Sequence, residues 1–269
     1  ATNIELLRKN PYAIYAKYIL SLKPLNDFGL PNKASLYGQI IHDVLAEYFS
    51  NPKNFKKESD LIHLFNNKIE SSALTKADQV FYKILFKNNI LPFIVEQLQN
   101  AIGSHIYTEK SGQMTLSLKS GPFTLTARAD RIDILPDDSA VIIDYKTGSA
   151  PSFSNVVLGY SPQLPIEALI LQEGGFDEIP KTSVSEMSYW KLGRESKISS
   201  LSTATKIDLS AEEVIQKTKE GIIQLIEIFR NPKTPYEVCP VSKLEPTYND
   251  YKHLARNSEW QHQEEEDDD

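Results

Sequence analysis

Ala129-Asp130-Arg131-Ile132-Asp133, followed after a short turn by Val141-Ile142-Ile143-Asp144-Tyr145-Lys146-Thr147-Gly148, decides how the chain is read. An apolar run, Val141 to Ile143, leads straight into Asp144-Tyr145-Lys146. A strand interior gains nothing from a carboxylate and an ammonium group, which are costly to remove from water. Alternation along a strand sets Asp144 and Lys146 on one face and Tyr145 on the other, about 7 Å apart along the chain. A carboxylate can hold a hard divalent cation, and a lysine beside it can position an attacking water or steady charge developing on a phosphoryl group. One aspartate does not hold a catalytic cation alone, and the preceding segment offers two more. Asp130 and Asp133 fall on opposite faces of their strand, so the connecting loop chooses between them. An even residue count brings Asp133 to the face of Asp144; an odd count or a bulge brings Asp130. At this level the choice stays open.

Period-two patterning extends outward from this hairpin. Residues 105–110, 113–119, 122–135 and 140–147 read as strands of an antiparallel meander, with turns at Ser111-Gly112, Ser120-Gly121-Pro122 and Pro136-Asp137-Asp138. Strand patterns return at 183–192 and 198–207. A helix is expected over 4–22, from Ile4, Leu7, Tyr12, Tyr15, Ile19 and Leu22. The next, 36–50, has Ser35 as its cap; Ile41, Leu45, Tyr48 and Phe49 form its apolar stripe, and His42 lies beside it. Helices over 60–73 and 76–101 follow, the second kinked at Pro92. Another spans 161–173. The last, 211–230, opens on a Ser210/Glu213 capping box and closes at Asn231-Pro232.

Composition narrows the function classes. The chain has 269 residues, 41% of them apolar, enough for one large domain with a sizeable core. The net charge is −7, and Glu264 to Asp269 carry six of those charges, leaving about −1 for the rest. Bulk charge therefore neither favours nor excludes a polyanionic partner. A single cysteine, Cys239, cannot form a disulfide or an iron–sulfur cluster within the chain. The sequence contains neither a signal peptide nor an apolar run of about 18 residues. A cytoplasmic location with no membrane part is the expectation. The absence of an initiator Met suggests a portion of a larger protein or a processed chain. A G-x-x-x-x-G-K-[ST] phosphate loop is absent, which argues against ATP hydrolysis by that route.

Four segments, in order, resemble the motif series of RecB/AddB-type nucleases of the PD-(D/E)XK superfamily. They are Tyr37-Gly38-Gln39-Ile40-Ile41-His42, Ala129-Asp130-Arg131-Ile132-Asp133, Ile143-Asp144-Tyr145-Lys146-Thr147-Gly148 and Pro162-Gln163-Leu164-Pro165-Ile166-Glu167-Ala168. Asn10-Pro11-Tyr12-Ala13-Ile14-Tyr15 resembles the start of such domains, and Asp250-Tyr251-Lys252-His253-Leu254-Ala255-Arg256 through Glu259-Trp260 the end of AddB proteins. Each motif alone is weak; the ordered series is specific. The resemblance implies an α/β, restriction-endonuclease-like core: a central mixed sheet with the His42 helix on one side and the Gln163 helix on the other. It implies one nuclease domain over 1–263. Within it, 36–50 is the motif helix, 51–101 an accessory helical layer beside a DNA groove, 105–207 the sheet core with the Gln163 helix, and 211–260 a helical closure. Residues 264–269 are expected to form an acidic, disordered tail.

Position by position, the resemblance makes His42, Asp130 and Asp144 metal ligands, with the Tyr145 carbonyl as a further oxygen. Lys146 becomes the catalytic lysine, and Gln163 supports the site or touches the DNA backbone. The implied cofactor is Mg²⁺ or Mn²⁺. The implied reaction is hydrolysis of phosphodiesters in single-stranded DNA or at DNA ends, in recombinational repair. Such nucleases work fused or bound to helicases, and no helicase motif is present here. A helicase subunit, or an N-terminal helicase-like region outside this sequence, is therefore the expected partner.

Two departures stand out. Many relatives carry four cysteines for an iron–sulfur staple, and Asn10 occupies the first of those positions. Glu167 replaces a tyrosine common in the Gln163 motif. Blander readings remain for single residues: His42 as a helix-flank histidine, Asp144 and Lys146 as a surface ion pair, Gln163 as a helix cap after Pro162, Asp133 as an ion-pair partner of an arginine. The alternative function is a non-catalytic DNA-end-binding or assembly module that keeps the fold, and a third is a nuclease acting on RNA.

Overall fold

The computed structural model describes residues 1–23, 32–50, 57–100, 103–204, 207–241 and 249–255. Helix α1 (Thr2–Lys9) ends at Asn10, whose side chain accepts the Ala13 N–H (3.3 Å) and caps α2 (Pro11–Ile14). A wide π turn, Tyr15–Ile19, follows. The single helix expected over 4–22 is thus broken. Proline is tolerated in the first turn of a helix and not in its interior, so Pro11 forces a fresh start.

Helix α3 (Lys33–Ser50) buries Tyr37, Ile41, Leu45, Tyr48 and Phe49 along one stripe. Its cap is Asn32, not Ser35: the Asn32 side chain accepts the N–H groups of Ala34 (3.0 Å) and Ser35 (3.4 Å). Helices α4 (Glu58–Glu70) and α5 (Lys76–Leu85) follow, and α5 continues through a π turn at Phe86–Ile90 into α6 (Leu91–Asn100). The disturbance expected at Pro92 takes this form, a widened turn that accommodates a residue with no N–H to give.

Strand β1 (His105–Leu118) pairs antiparallel with β2 (Gly121–Ile134), and β2 with β3 (Ala140–Lys146). The two strands expected before residue 120 are one, because β1 runs straight through Ser111-Gly112. Gly112 is there for closeness, not for turning: a Cβ on it would lie 2.6 Å from the Phe176 ring. After α7 (Phe153–Val157) and α8 (Gln163–Gln172), β4 (Val184–Lys191) adds parallel to β3, and β5 (Lys197–Ser200) antiparallel to β4. The strand expected over 198–207 stops at Ser200, where the Glu186 carboxylate takes the N–H groups of Leu201 (2.9 Å) and Ser202 (3.1 Å) and turns the chain. Helix α9 (Ala211–Arg230) opens on the Ser210/Glu213 capping box, and α10 (Lys252–Ala255) closes the described chain. Glu259, Trp260 and the acidic end 264–269 lie outside the described residues.

The sheet is five-stranded and mixed, in the order β1-β2-β3-β4-β5, with β3 central. Alternation on β3 sends Ile142 to one face, against Leu164, Ile166 and Ile170 of α8 and Val214 of α9. Ile143 and Tyr145 go to the other, against Ile41 and Leu45 of α3, Phe65 of α4 and Ile94 of α6. The expected arrangement, His42 helix on one side and Gln163 helix on the other, is the one observed. Among the described residues no helix is long and apolar enough to cross a membrane.

Candidate metal centre

The loop between β2 and β3 fixes which aspartate meets Asp144. Register runs from Ile134↔Ala140 to Arg131↔Ile143, so the loop is residues 135–139, an odd count. It is held by Leu135 N–H to Ser139 O (2.8 Å), and the Asp137 carboxylate accepts the Ser139 N–H (3.0 Å) and hydroxyl (2.7 Å). One step beyond the last pair, Asp130 comes opposite Asp144. Asp133 goes to the other face, where it binds Arg131 through two hydrogen bonds of 2.6 Å. Both residues are buried, and the guanidinium lies over the rings of Phe49 (4.1 Å) and Trp190 (4.9 Å). Asp133 is therefore a structural partner inside the α3 layer.

The β2–β3 ladder ends at Arg131 and Ile143, and the Asp130 side chain continues it. Its Oδ2 accepts the Tyr145 N–H at 2.9 Å. The Tyr145 carbonyl faces His42 Nε2 at 2.9 Å, and His42 Nδ1 stands 3.3 Å from Asp130 Oδ2. Helix α3 delivers His42 this close because Gly38, one turn earlier on the same face, has no side chain. A Cβ there would lie 3.0 Å from Thr147 Oγ1 at the end of β3. Burial alone would lower the His42 pKa; the hydrogen bond and charge of Asp130 outweigh it and raise it.

Asp144 is buried, and burial pushes its carboxyl up to about 6 despite the neighbouring ammonium of Lys146. Lys146 Nζ is 2.5 Å from Asp144 Oδ2, and Gln163, at the first turn of α8, donates from Nε2 to Asp144 Oδ1 (2.6 Å). The same Nε2 donates to Glu167 Oε1 at 3.2 Å, one turn on. Glu167 is fully enclosed; burial, then Asp144 and Asp130, raise its carboxyl well above the ordinary range.

Sequence reasoning missed Glu109. Ligand atoms of His42, Glu109 and Asp130 all lie within 4.8 Å of one another. Burial and then Asp130 raise the Glu109 carboxyl, although Arg128 Nε sits 2.7 Å from its Oε2. The signal lay in the hairpin register, which runs from Leu118↔Gly121 and brings Glu109 level with Asp130. Reading a turn at Ser111-Gly112 hid it. The structure gathers all the residues predicted for the site, His42, Asp130 and the Tyr145 carbonyl in one cluster and Asp144, Lys146 and Gln163 in another beside it. Asp144 stands outside the mutual 4.8 Å set, its oxygens engaged by Lys146 and Gln163. Imidazole nitrogen, carboxylates and a main-chain carbonyl oxygen together fit a hard divalent cation.

A mixed sheet whose central strand ends in Asp-x-Lys, with an aspartate from the next strand and a histidine from a flanking helix, is a restriction-endonuclease-like α/β arrangement. The chain belongs to the PD-(D/E)XK nuclease superfamily, whose family model matches residues 1–243. It is 32% identical over 285 residues to an uncharacterized protein of Rickettsia conorii, and 33% identical over 273 residues to one of Rickettsia bellii. Those alignments cover 95% and 94% of this chain but only 33% and 32% of the relatives, so the chain spans about a third of their length. The crystal structure of SSO0001 aligns over 84% of this chain and 88% of that one at 12% identity, with a TM-score of 0.30, a likeness too slight to argue from.

Proposed function

We propose that this chain is a divalent-metal-dependent deoxyribonuclease of RecB/AddB type, hydrolysing phosphodiesters in single-stranded DNA or at DNA ends during recombinational repair. The observation that carries the reading is the convergence at the end of β3. Asp130 and the Tyr145 carbonyl close around His42, with the Asp144–Lys146 pair beside them. Mg²⁺ or Mn²⁺ is the proposed cation, the imidazole favouring Mn²⁺. When bound, it supplies Lewis-acid polarisation of a phosphoryl oxygen.

The chain's own groups do the rest. His42, Asp130, Asp144 and the Tyr145 carbonyl hold the cation, Asp130 being fixed by the Tyr145 N–H. Gln163 holds Asp144, and Asp144 holds Lys146, whose ammonium is presented to charge developing on the phosphoryl group. Gln163 is assigned to steadying Asp144 in preference to touching DNA, because its amide N–H is already given to carboxylates. A helicase, as a separate subunit or as part of a longer polypeptide, and a cytoplasmic setting belong to the same reading. The length of the relatives beyond the matched third is what supports looking for such a region in the same polypeptide.

The test is cleavage of labelled single-stranded and duplex DNA with Mn²⁺, Mg²⁺ or EDTA, comparing wild type with Lys146→Ala. Metal-dependent cutting is expected, reduced in the variant by roughly 10²–10³ with the circular dichroism spectrum unchanged. Absence of cutting together with Mn²⁺ binding would point to a competent site that awaits its helicase. Absence of both would favour the non-catalytic DNA-binding module, and cutting of RNA alone would move the substrate class.

A further inference from the structure

Glu109 sits in β1 where regular strand geometry fails. Thr108 pairs with Arg131 and Lys110 with Ala129, yet Glu109 between them is in the left-handed region, at φ +52°. A residue with a Cβ adopts that conformation rarely. Its carboxylate comes within the mutual 4.8 Å set with His42 and Asp130. Two carboxylates at that range repel each other unless a cation offsets them. Arg128 offers one, 2.7 Å from Glu109, but the arginine side chain is 65% exposed and therefore well screened by water.

We propose that Glu109 is a ligand of the divalent cation at this centre, and that Arg128 holds its carboxylate until the cation arrives and is then released to a phosphate of the DNA strand. The inference rests on the nuclease reading above. It follows from competition for one carboxylate: an oxygen committed to a hard cation is a weaker partner for a guanidinium, and a phosphate replaces it with matching geometry. Arg128 is two residues before Asp130 in β2, so alternation puts both on one face of the strand. The freed guanidinium therefore stands next to the metal-binding carboxylate, beside the path of a backbone being cut. Glu109 then joins His42, Asp130, Asp144 and the Tyr145 carbonyl as a protein ligand.

Mn²⁺ binding to the purified chain without DNA, followed by titration calorimetry and by the electron paramagnetic resonance of free Mn²⁺, tests this. Wild type binds, Asp130→Asn does not, and Glu109→Gln binds roughly 10-fold or more weakly. Glu109→Gly accepts the left-handed backbone, so it melts no lower than wild type yet loses metal affinity to the same degree. A purely structural glutamate would leave the affinity unchanged. Arg128→Ala binds Mn²⁺ more tightly than wild type. In Ca²⁺ it holds a single-stranded oligonucleotide more weakly, with the salt slope reduced by about 1. Wild-type affinity in Glu109→Gln, with Asp130→Asn still deficient, overturns the ligand assignment alone. Unchanged or weaker Mn²⁺ binding in Arg128→Ala overturns the exchange. A wild type that binds no Mn²⁺ overturns the nuclease reading and this inference together.

Discussion

Glu167 is wholly enclosed, with one carboxylate oxygen accepting from Gln163 and the other without a hydrogen-bond partner. An ionised carboxylate in that position repels Asp144 and Asp130, and burial raises its pKa above the unfolded value of 4.5. The sign follows from linkage. A carboxyl that binds its proton more tightly in the folded state contributes full stability below 4.5, and that stability is lost as pH rises toward the folded value. Glu167→Gln keeps the acceptor for Gln163 and cannot ionise. Melting in the presence of a chelator should therefore show wild type and variant alike near pH 4.5. The variant should gain as the pH is raised, by about 1–3 kcal/mol, the cost of an unmatched buried polar group. A stability difference independent of pH would refute this account. The sequence marks Glu167 only as a departure from a motif. Its enclosure depends on α8 being apolar on every side, which no local pattern around one residue reveals. Asp130 and Asp133 show the opposite case. Their alternatives were legible as a parity rule, and the five-residue loop 135–139 selects Asp130.

The element that decides the site is α3, because it must approach the end of β3 closely enough for His42 to reach the Tyr145 carbonyl. Gly38 permits that approach. Alanine at this position would be the better helix former by about 1 kcal/mol, but its Cβ would stand 3.0 Å from Thr147 Oγ1. The two effects nearly cancel in stability, whereas a helix displaced by a few tenths of an ångström carries His42 with it. Gly38→Ala should leave the melting temperature within a few degrees of wild type and lower Mn²⁺ affinity several-fold; Gly38→Val should do more of both. Unchanged affinity in both variants, read by calorimetry, would remove the glycine from the site's design. Of the strongly patterned elements, α3 was legible from its apolar stripe, though not from its cap, and α9 from its capping box. Those that failed did so where one residue type serves two purposes. Gly112 reads as a turn but serves close contact with Phe176, and Pro11 sits among apolar residues at helical spacing but starts a new helix.

At the scale of the whole molecule, a single cysteine, Cys239, leaves the two ends of the domain to be joined by non-covalent contacts. The structure shows what joins the ends here. The Tyr251 ring is buried against Ala13 and Ala16, and its hydroxyl donates to the Leu22 carbonyl at 2.9 Å. The Tyr12 N–H donates to the Glu237 carbonyl at 3.0 Å, and the rings of Tyr15 and Tyr236 lie 5.4 Å apart. Asn10 is buried and caps α2, within the segment that receives Tyr251. Apolar contact and hydrogen bonds make this closure. Tyr251→Phe, which keeps the ring, should cost about 1 kcal/mol, the net worth of one hydrogen bond. Tyr251→Ala should cost about 3–5 kcal/mol, as for a buried aromatic removed without replacement. Urea melts give both values, and hydrogen exchange gives their location: in Tyr251→Ala protection should fall first across α1 and α2, before the sheet. The candidate metal centre lies on the sheet and α3, and not on this closure, so Mn²⁺ affinity at a temperature where Tyr251→Ala remains folded should match wild type. If exchange instead rises uniformly, the closure is not a separate unit, and the two ends are held by the core of α8 and α9 alone.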